Sequence, residues 1–241
     1  MDKCVPIPNQ QERDVDAEDN SQRTSDDEGS CRAICEFNPV FPLSELCYGA
    51  RVTEMTPLSS RLRQAINTAA IAHRDQVRKG SGIPYVSHVY AVMFLLSQVT
   101  DDEDVVIAGL LHDTVEDVPE NYNAAQIEQD FGPRVRMLVE DLTKIEHPNW
   151  QVRADAYIEH LEFHAATEAV LISTADKLHN LMSIMDDLEE IGERLWERFN
   201  AGKEKQLWWY TEILRVSTVR LGKNQLNEQL EGYVEKLKKS T

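Results

Sequence analysis

Three short segments of this sequence carry side chains able to hold a cation and handle a proton. The first is His112-Asp113-Thr114-Val115-Glu116-Asp117, which follows an apolar run, Ala108-Gly109-Leu110-Leu111, that has to be buried. On a helix an offset of four returns to the same face, so His112 would stack with Glu116 and Asp113 with Asp117. Three carboxylates and an imidazole beside a buried segment would repel one another, and a divalent cation would relieve that repulsion. The plainer alternative is an exposed, charged helix end, because a bare His-Asp pair is common. The second segment is Ala175-Asp176-Lys177-Leu178-His179-Asn180, where Asp176 and Asn180 share a helix face. The third is Tyr85-Val86-Ser87-His88, at a helix start just after a Gly/Pro loop. His88, the His112-Asp113 pair and the distant Asp176 form a mixed nitrogen and oxygen donor set, of the kind that suits Mn, Fe, Co or Zn.

His73, His147, His160 and His164 read as structural. His160 and His164 have metal-pair spacing, but no acid accompanies them in a recognisable arrangement. Cys31, Cys35 and Cys47 lack a paired CxxC, so these thiols and Cys4 read as free rather than zinc-bound.

The elements that would position these residues are helical. From about Ser59 apolar residues recur at three and four, with Ser59 or Ser60 as a cap. Lys79 to Pro84 reads as a loop, Val89 to Val99 as a helix capped by Ser87, and Asp101 onward as a helix that stops near Pro119. Short helices fit 124–130 and 133–142, divided by Gly132, and longer ones fit 150–164, 168–188, 203–220 and 225–238. The expected fold is all-α. Residues 1–45 are polar and acidic, cannot repay the entropy of ordering, and read as a flexible tail. Residues 46–241 read as one domain, with a core at about 59–188 and C-terminal helices at 189–241. The 241 residues carry a net charge of -17, which disfavours nucleic-acid binding. No apolar run reaches the ~20 residues of a membrane span, and the N-terminus lacks a secretory signal, so a cytoplasmic protein is expected.

The order His88, His112-Asp113, Asp176 resembles the H…HD…D signature of HD-domain phosphohydrolases, a helical bundle fold. The resemblance is closer to the alarmone hydrolases of the RelA/SpoT type, the small standalone ones included. It rests on Ala72-His73-Arg74-Asp75-Gln76-Val77-Arg78-Lys79-Gly80, Pro84-Tyr85-Val86-Ser87-His88, Leu110 to Asp117, Phe131-Gly132 with Val135, and Ala175 to Asn180, in order over about residues 60–185. The resemblance implies that His88, His112, Asp113 and Asp176 hold one divalent metal, usually manganese in this family. It makes Glu116 and Asp117 the acidic pair beside the attacking water. Arg78 and Lys79 would face substrate phosphates, and Asn180 would bond near the nucleoside or phosphate. His179 matches a position that is not a ligand and reads as structural. Val89 stands where the family often has Pro, and the loop from Lys79 to Pro84 differs in length from that of the long bifunctional enzymes.

Beyond Asp186 the likeness to the long enzymes fades. Arg198 and Lys203 are candidates to grip a distal phosphate and Tyr210 to act as a lid; the alternative is an aromatic-packed helix with two solvated cations. Trp208, Trp209 and Tyr210 are also candidates for a subunit contact in a homo-oligomer. The resemblance implies metal-dependent removal of the 3′-diphosphate of (p)ppGpp, giving GDP or GTP and pyrophosphate. The length leaves no room for the synthetase of the long members, so hydrolysis alone is expected. Alternatives are an HD enzyme acting on another nucleotide, (pp)pApp or NADPH, and a non-catalytic nucleotide sensor; the presence of Glu116 and Asp117 favours an enzyme.

Overall fold

A computed structural model describes residues 58–198 and 202–240; the acidic segment 1–45, and all four cysteines, lie outside the described residues. Every element among the described residues is helical, apart from one isolated bridge between Val77 and Pro84. The helices are α1 (Ser60–Ala72), α2 (Val86–Ser97), α3 (Glu103–Leu111), α4 (Thr114–Asp117), α5 (Ala124–Phe131), α6 (Pro133–Glu140), α7 (Trp150–Phe163), α8 (Thr167–Ile191), α9 (Gly202–Leu221) and α10 (Gln225–Lys239). A 3-10 turn, Gly192–Arg198, follows α8.

Local chemistry sets most boundaries. Ser59 caps α1 by accepting from Leu62 N, Asp102 caps α3 from Asp104 N, and Asn149 caps α7 from Gln151 N. Gly132, at φ 94°, separates α5 from α6, and Pro133 opens α6 where its missing N–H costs nothing.

Two helices form the centre. From Val105 to Leu111 every residue of α3 is buried, as expected of a helix that is apolar on all sides. The 25-residue α8 packs against α2, α3, α6, α9 and α10. At Gly109, α2 and α3 approach so closely that a Cβ would stand 2.3 Å from Cδ1 of the fully buried Leu96. That contact brings His88 on α2 near His112 at the end of α3.

Two expectations about boundaries are corrected. First, α2 begins at Val86, and its N-cap is Tyr85, with no side-chain cap; Ser87 lies within the first turn, whose amides bond to Pro84 O and Tyr85 O. Second, the helix expected from Asp101 to about Pro119 is broken at His112-Asp113. Side chains take the carbonyls there: His112 Nδ1 bonds to Gly109 O at 2.8 Å and Thr114 Oγ1 to Leu111 O at 2.7 Å. Asp113 adopts φ -94°, ψ -1°, and the chain restarts as α4.

α9 and α10 both pack on α8. Trp209 and Tyr210 are buried, Trp208 is half-buried, and the rings of Trp208 and Trp209 meet Trp150 edge-on.

Candidate metal centre

His88, His112 and Asp176 converge from α2, the α3 terminus and α8. One ligand atom of each lies within 4.8 Å of the others, and all three residues are buried. Asp113 joins them: its Oδ2 is 3.0 Å from Nε2 of His112 and 3.6 Å from Nε2 of His88. Oδ1 of Asp176 is 3.2 Å from the His88 nitrogen and 3.8 Å from that of His112.

The imidazoles fit a cation. Nε2 of both His88 and His112 is buried and has no hydrogen-bond partner. A buried nitrogen without a partner costs roughly 1–3 kcal/mol, and a coordinated cation would remove that cost. Each ring is also turned by its other nitrogen. Nδ1 of His112 donates to Gly109 O, which leaves Nε2, 3.0 Å from Oδ2 of Asp113, to take either a proton or a cation. Nδ1 of His88 lies 2.8 Å from Nδ1 of His179. Burial first, and then His88 and Arg78, lower His179 to a pKa of about 4, so its ring is neutral. With the His88 proton on Nδ1, His179 accepts it and Nε2 of His88 is again free to bind.

The carboxylates are ionised. Burial opposes this, but His112 and His88 outweigh it at Asp113, and Lys177 and both imidazoles do so at Asp176; both acids fall well below their ordinary range. Asp113 and Asp176 also outweigh the effect of burial on His112, raising it to about 10. The pocket therefore attracts positive charge, as proton or as cation. Tyr85 donates its hydroxyl to Asp113, Lys177 pairs with Oδ2 of Asp176, and Asn180 donates to Oδ1 of Asp176.

Two cavities flank the centre and share Asn180 and Tyr210. One, of about 400 Å³, lies within the usual range of ~300–1,000 Å³ for ligand sites and is lined by Arg78, Lys79, Ser87, His179 and Arg198 among others. The other, of about 280 Å³, is lined by Glu116, Lys144, Arg153 and Lys177 among others.

The remaining candidates divide. Nη2 of Arg78 reaches Oδ1 of Asn180 at 3.1 Å. Arg198 pairs with Asp187 at 3.3 Å and lies against Gly80, whose φ of 95° and lack of a Cβ admit the guanidinium. Lys203 does not line either cavity; its ammonium bonds to Ser240 O at the end of α10, so the phosphate grip expected of it is not supported. The break after α3 also undoes the expected stacking of His112 with Glu116. Glu116 instead accepts from the Lys144 ammonium at 3.0 Å and from the Lys144 amide at 3.2 Å. Asp117 accepts from Nε2 of Gln76 at 2.8 Å. Partial desolvation and the charge of Asp113 raise its pKa. His160 pairs with Asp141 rather than forming a second metal group.

Sequence reasoning missed Gln76, Tyr85, Lys144 and Lys177, and it left His179 as structural. Gln76, Tyr85, Lys177 and His179 all lie within the segments that carry the family resemblance, and only the nearness of Tyr85 to His88, and of Lys177 and His179 to Asp176, signalled a role.

The family model described as "HD domain" matches residues 65–204. A mouse guanosine-3′,5′-bis(diphosphate) 3′-pyrophosphohydrolase is 31% identical over 188 residues, spanning 74% of this chain and 93% of the mouse protein. A Streptomyces coelicolor GTP pyrophosphokinase is 32% identical over 199 residues, 81% of this chain, which spans only 22% of that protein. The solved structure of a metazoan ortholog of SpoT, described as hydrolysing ppGpp, superposes with a TM-score of 0.58 at 29% identity, covering 77% of this chain and 97% of the ortholog. Among the described residues no helix is long and apolar enough to cross a membrane.

Proposed function

The chain belongs to the HD domain family, and we propose that it is a cytosolic, metal-dependent pyrophosphohydrolase that removes the 3′-diphosphate of the guanosine alarmone (p)ppGpp, releasing GDP or GTP. The observation that carries this reading is the pair of buried, unpartnered Nε2 atoms facing ionised Asp113 and Asp176, beside a cavity lined by Arg78, Lys79 and Arg198. The mouse relative named for this activity matches over nearly its whole length.

His88, His112, Asp113 and Asp176 would hold the cation, which we take to be manganese. When bound, it supplies Lewis acidity, both to activate water and to neutralise phosphoryl charge. The side chains do the rest. Asp117, its pKa raised toward the working range of a general base, orients the attacking water and accepts its proton. Glu116, held on Lys144, fixes the far side of that carboxylate pair. Arg78 and Lys79 bind the diphosphate, Arg78 through its planar fork. Asn180 spans the two cavities and connects Arg78 to Asp176, so phosphate binding and ligand orientation share one side chain. The water oxygen bonds to phosphorus as the P–O bond to the ribose 3′-oxygen breaks; that oxygen takes up the proton the water gave up, and pyrophosphate and a 5′-phosphorylated guanosine leave.

The test is release of pyrophosphate from ppGpp and its adenine analogue, and of orthophosphate from NADPH, by metal-stripped protein given manganese, with Asp113→Ala as control. Manganese-dependent release from ppGpp that is lost in the variant is the expected result. Turnover of NADPH or the adenine analogue alone would overturn the substrate and keep the site. Tight ppGpp binding with no turnover of any compound would overturn the enzyme reading in favour of a sensor.

A further inference from the structure

His73 is a buried imidazole, 1% exposed, that no step above uses. It closes α1, and its Nδ1 lies 2.6 Å from Oε1 of Gln76. An amide oxygen only accepts, so Nδ1 carries the ring proton. Nε2 has no partner in its buried surroundings, and burial keeps the ring neutral. This fixes the Gln76 amide. With its oxygen turned to His73, its NH₂ group faces the other way and donates to Oδ2 of Asp117 at 2.8 Å. A flipped amide would set an oxygen against the carboxylate and NH₂ against the ring N–H.

The segment holding Gln76 is tied at several points. Gln76 N bonds to His73 O at 3.1 Å, Tyr85 N bonds to Gln76 O at 2.9 Å, and Val77 bridges Pro84. The Tyr85 ring lies 5.2 Å from His73, and its hydroxyl donates to Asp113. Residues 73–85 thus deliver one donor to each of two carboxylates, Asp113 and Asp117, at opposite ends of α4.

We propose that Gln76 is a positioning residue for Asp117, and that His73 sets the amide orientation that lets it act so. This rests on the reading that Asp117 directs the attacking water. Asp117 is exposed to solvent, where an unrestrained carboxylate turns among rotamers. The Gln76 bond holds one of its oxygens and leaves the second available. A displacement of about 1 Å in such a group costs up to about a hundredfold in rate.

The test uses the manganese-loaded full chain and steady-state release of pyrophosphate from ppGpp. The variants are Gln76→Met, which keeps the length and removes the donor, Asp117→Asn, the double variant, His73→Leu and His73→Asn. The asparagine amide places an N–H where Nδ1–H of His73 stands. Gln76→Met is expected to lower kcat by about tenfold to a hundredfold with KM within about threefold. The double variant should be no slower than Asp117→Asn alone. His73→Leu should reproduce the Gln76→Met loss, and His73→Asn should restore kcat to within about threefold of the parent. Manganese stoichiometry by electron paramagnetic resonance and the melting temperature report folding for each protein. A parent-like kcat in Gln76→Met, with a slow Asp117→Asn, overturns the inference and spares the function. A parent-like kcat in Asp117→Asn overturns the assigned role of Asp117 itself. Fully additive losses in the double variant, or a His73→Asn as slow as His73→Leu, also overturn the inference.

Discussion

Replacing His179 by Leu should weaken metal binding without touching a ligand. In the native protein Nδ1 of His88 has one partner, Nδ1 of His179, at 2.8 Å. His88 is completely buried, so no water can take over that bond. Leucine leaves the His88 N–H unsatisfied, at a cost of roughly 1–3 kcal/mol. The ring can avoid that cost only by turning or by moving its proton to Nε2, and either change removes the lone pair that faces Asp113 and Asp176. Through the affinity relation this energy corresponds to a loss of roughly 5- to 150-fold, in line with the roughly 10–100-fold typical of outer-shell partners of metal-binding histidines. The assay is calorimetric titration of chelator-stripped protein with manganese, with recovery of pyrophosphate release followed at each addition. His179→Leu should bind about 10–100-fold more weakly and regain most of its activity at saturating metal. His179→Asn, which can present an acceptor oxygen near the place of Nδ1, should bind nearly as tightly as the parent. An unchanged dissociation constant in His179→Leu would refute the argument, because it would mean that the His88 orientation is set without His179.

Four further outcomes follow from the same geometry. Gly109→Ala would press a methyl against fully buried Leu96 and should destabilise the protein by about 1–3 kcal/mol, read by urea denaturation, while loosening metal binding as α2 moves away from α3. Ser217→Ala removes the buried donor to Asn227 Oδ1 and the partner 2.7 Å from Thr174, and should cost about 1–3 kcal/mol, or about 2–4 °C of melting temperature per kcal/mol at this chain length. Arg198→Ala should raise KM for ppGpp more than it lowers kcat, because Arg198 lines the 400 Å³ cavity and touches none of the four proposed ligands. In metal-free protein the His112 pKa is raised from 6.5 to about 10, so its stabilising contribution is complete below 6.5 and is lost as pH climbs toward 10. The melting temperature of stripped protein should therefore fall across that interval, and bound manganese, which replaces the proton, should remove the fall; equal pH profiles with and without metal would contradict the pairing of His112 with Asp113 and Asp176.

How far the site could be read in advance depended on whether each signal was local. The helical periods, the Ser59 cap, the helix opening near Asp101 and the Gly132 break are local, and they recur in the structure within a few residues of their expected places. The convergence of His88, His112 and Asp176 was legible because apolar lead-ins end on His112 and Asp176, and a Gly/Pro loop opens onto the helix start that carries His88. The offset-four argument across His112 to Asp117 failed for a reason that periodicity does not encode. His112 and Thr114 bond back to the carbonyls of Gly109 and Leu111, ending α3 just where the polar run begins. That break matters for chemistry. An unbroken helix would carry Glu116 and Asp117 on the faces of His112 and Asp113, as further crowding at the cation. The restart at Thr114 instead sends Glu116 to Lys144 and Asp117 to Gln76, so the acidic pair is held by partners of its own. Those partners lie 28 and 41 residues away in sequence, and His179 lies 91 residues from the ring it orients. Donor types that hold a cation follow from composition and spacing, whereas the groups that aim them are fixed only once α1, α2 and α8 are packed together.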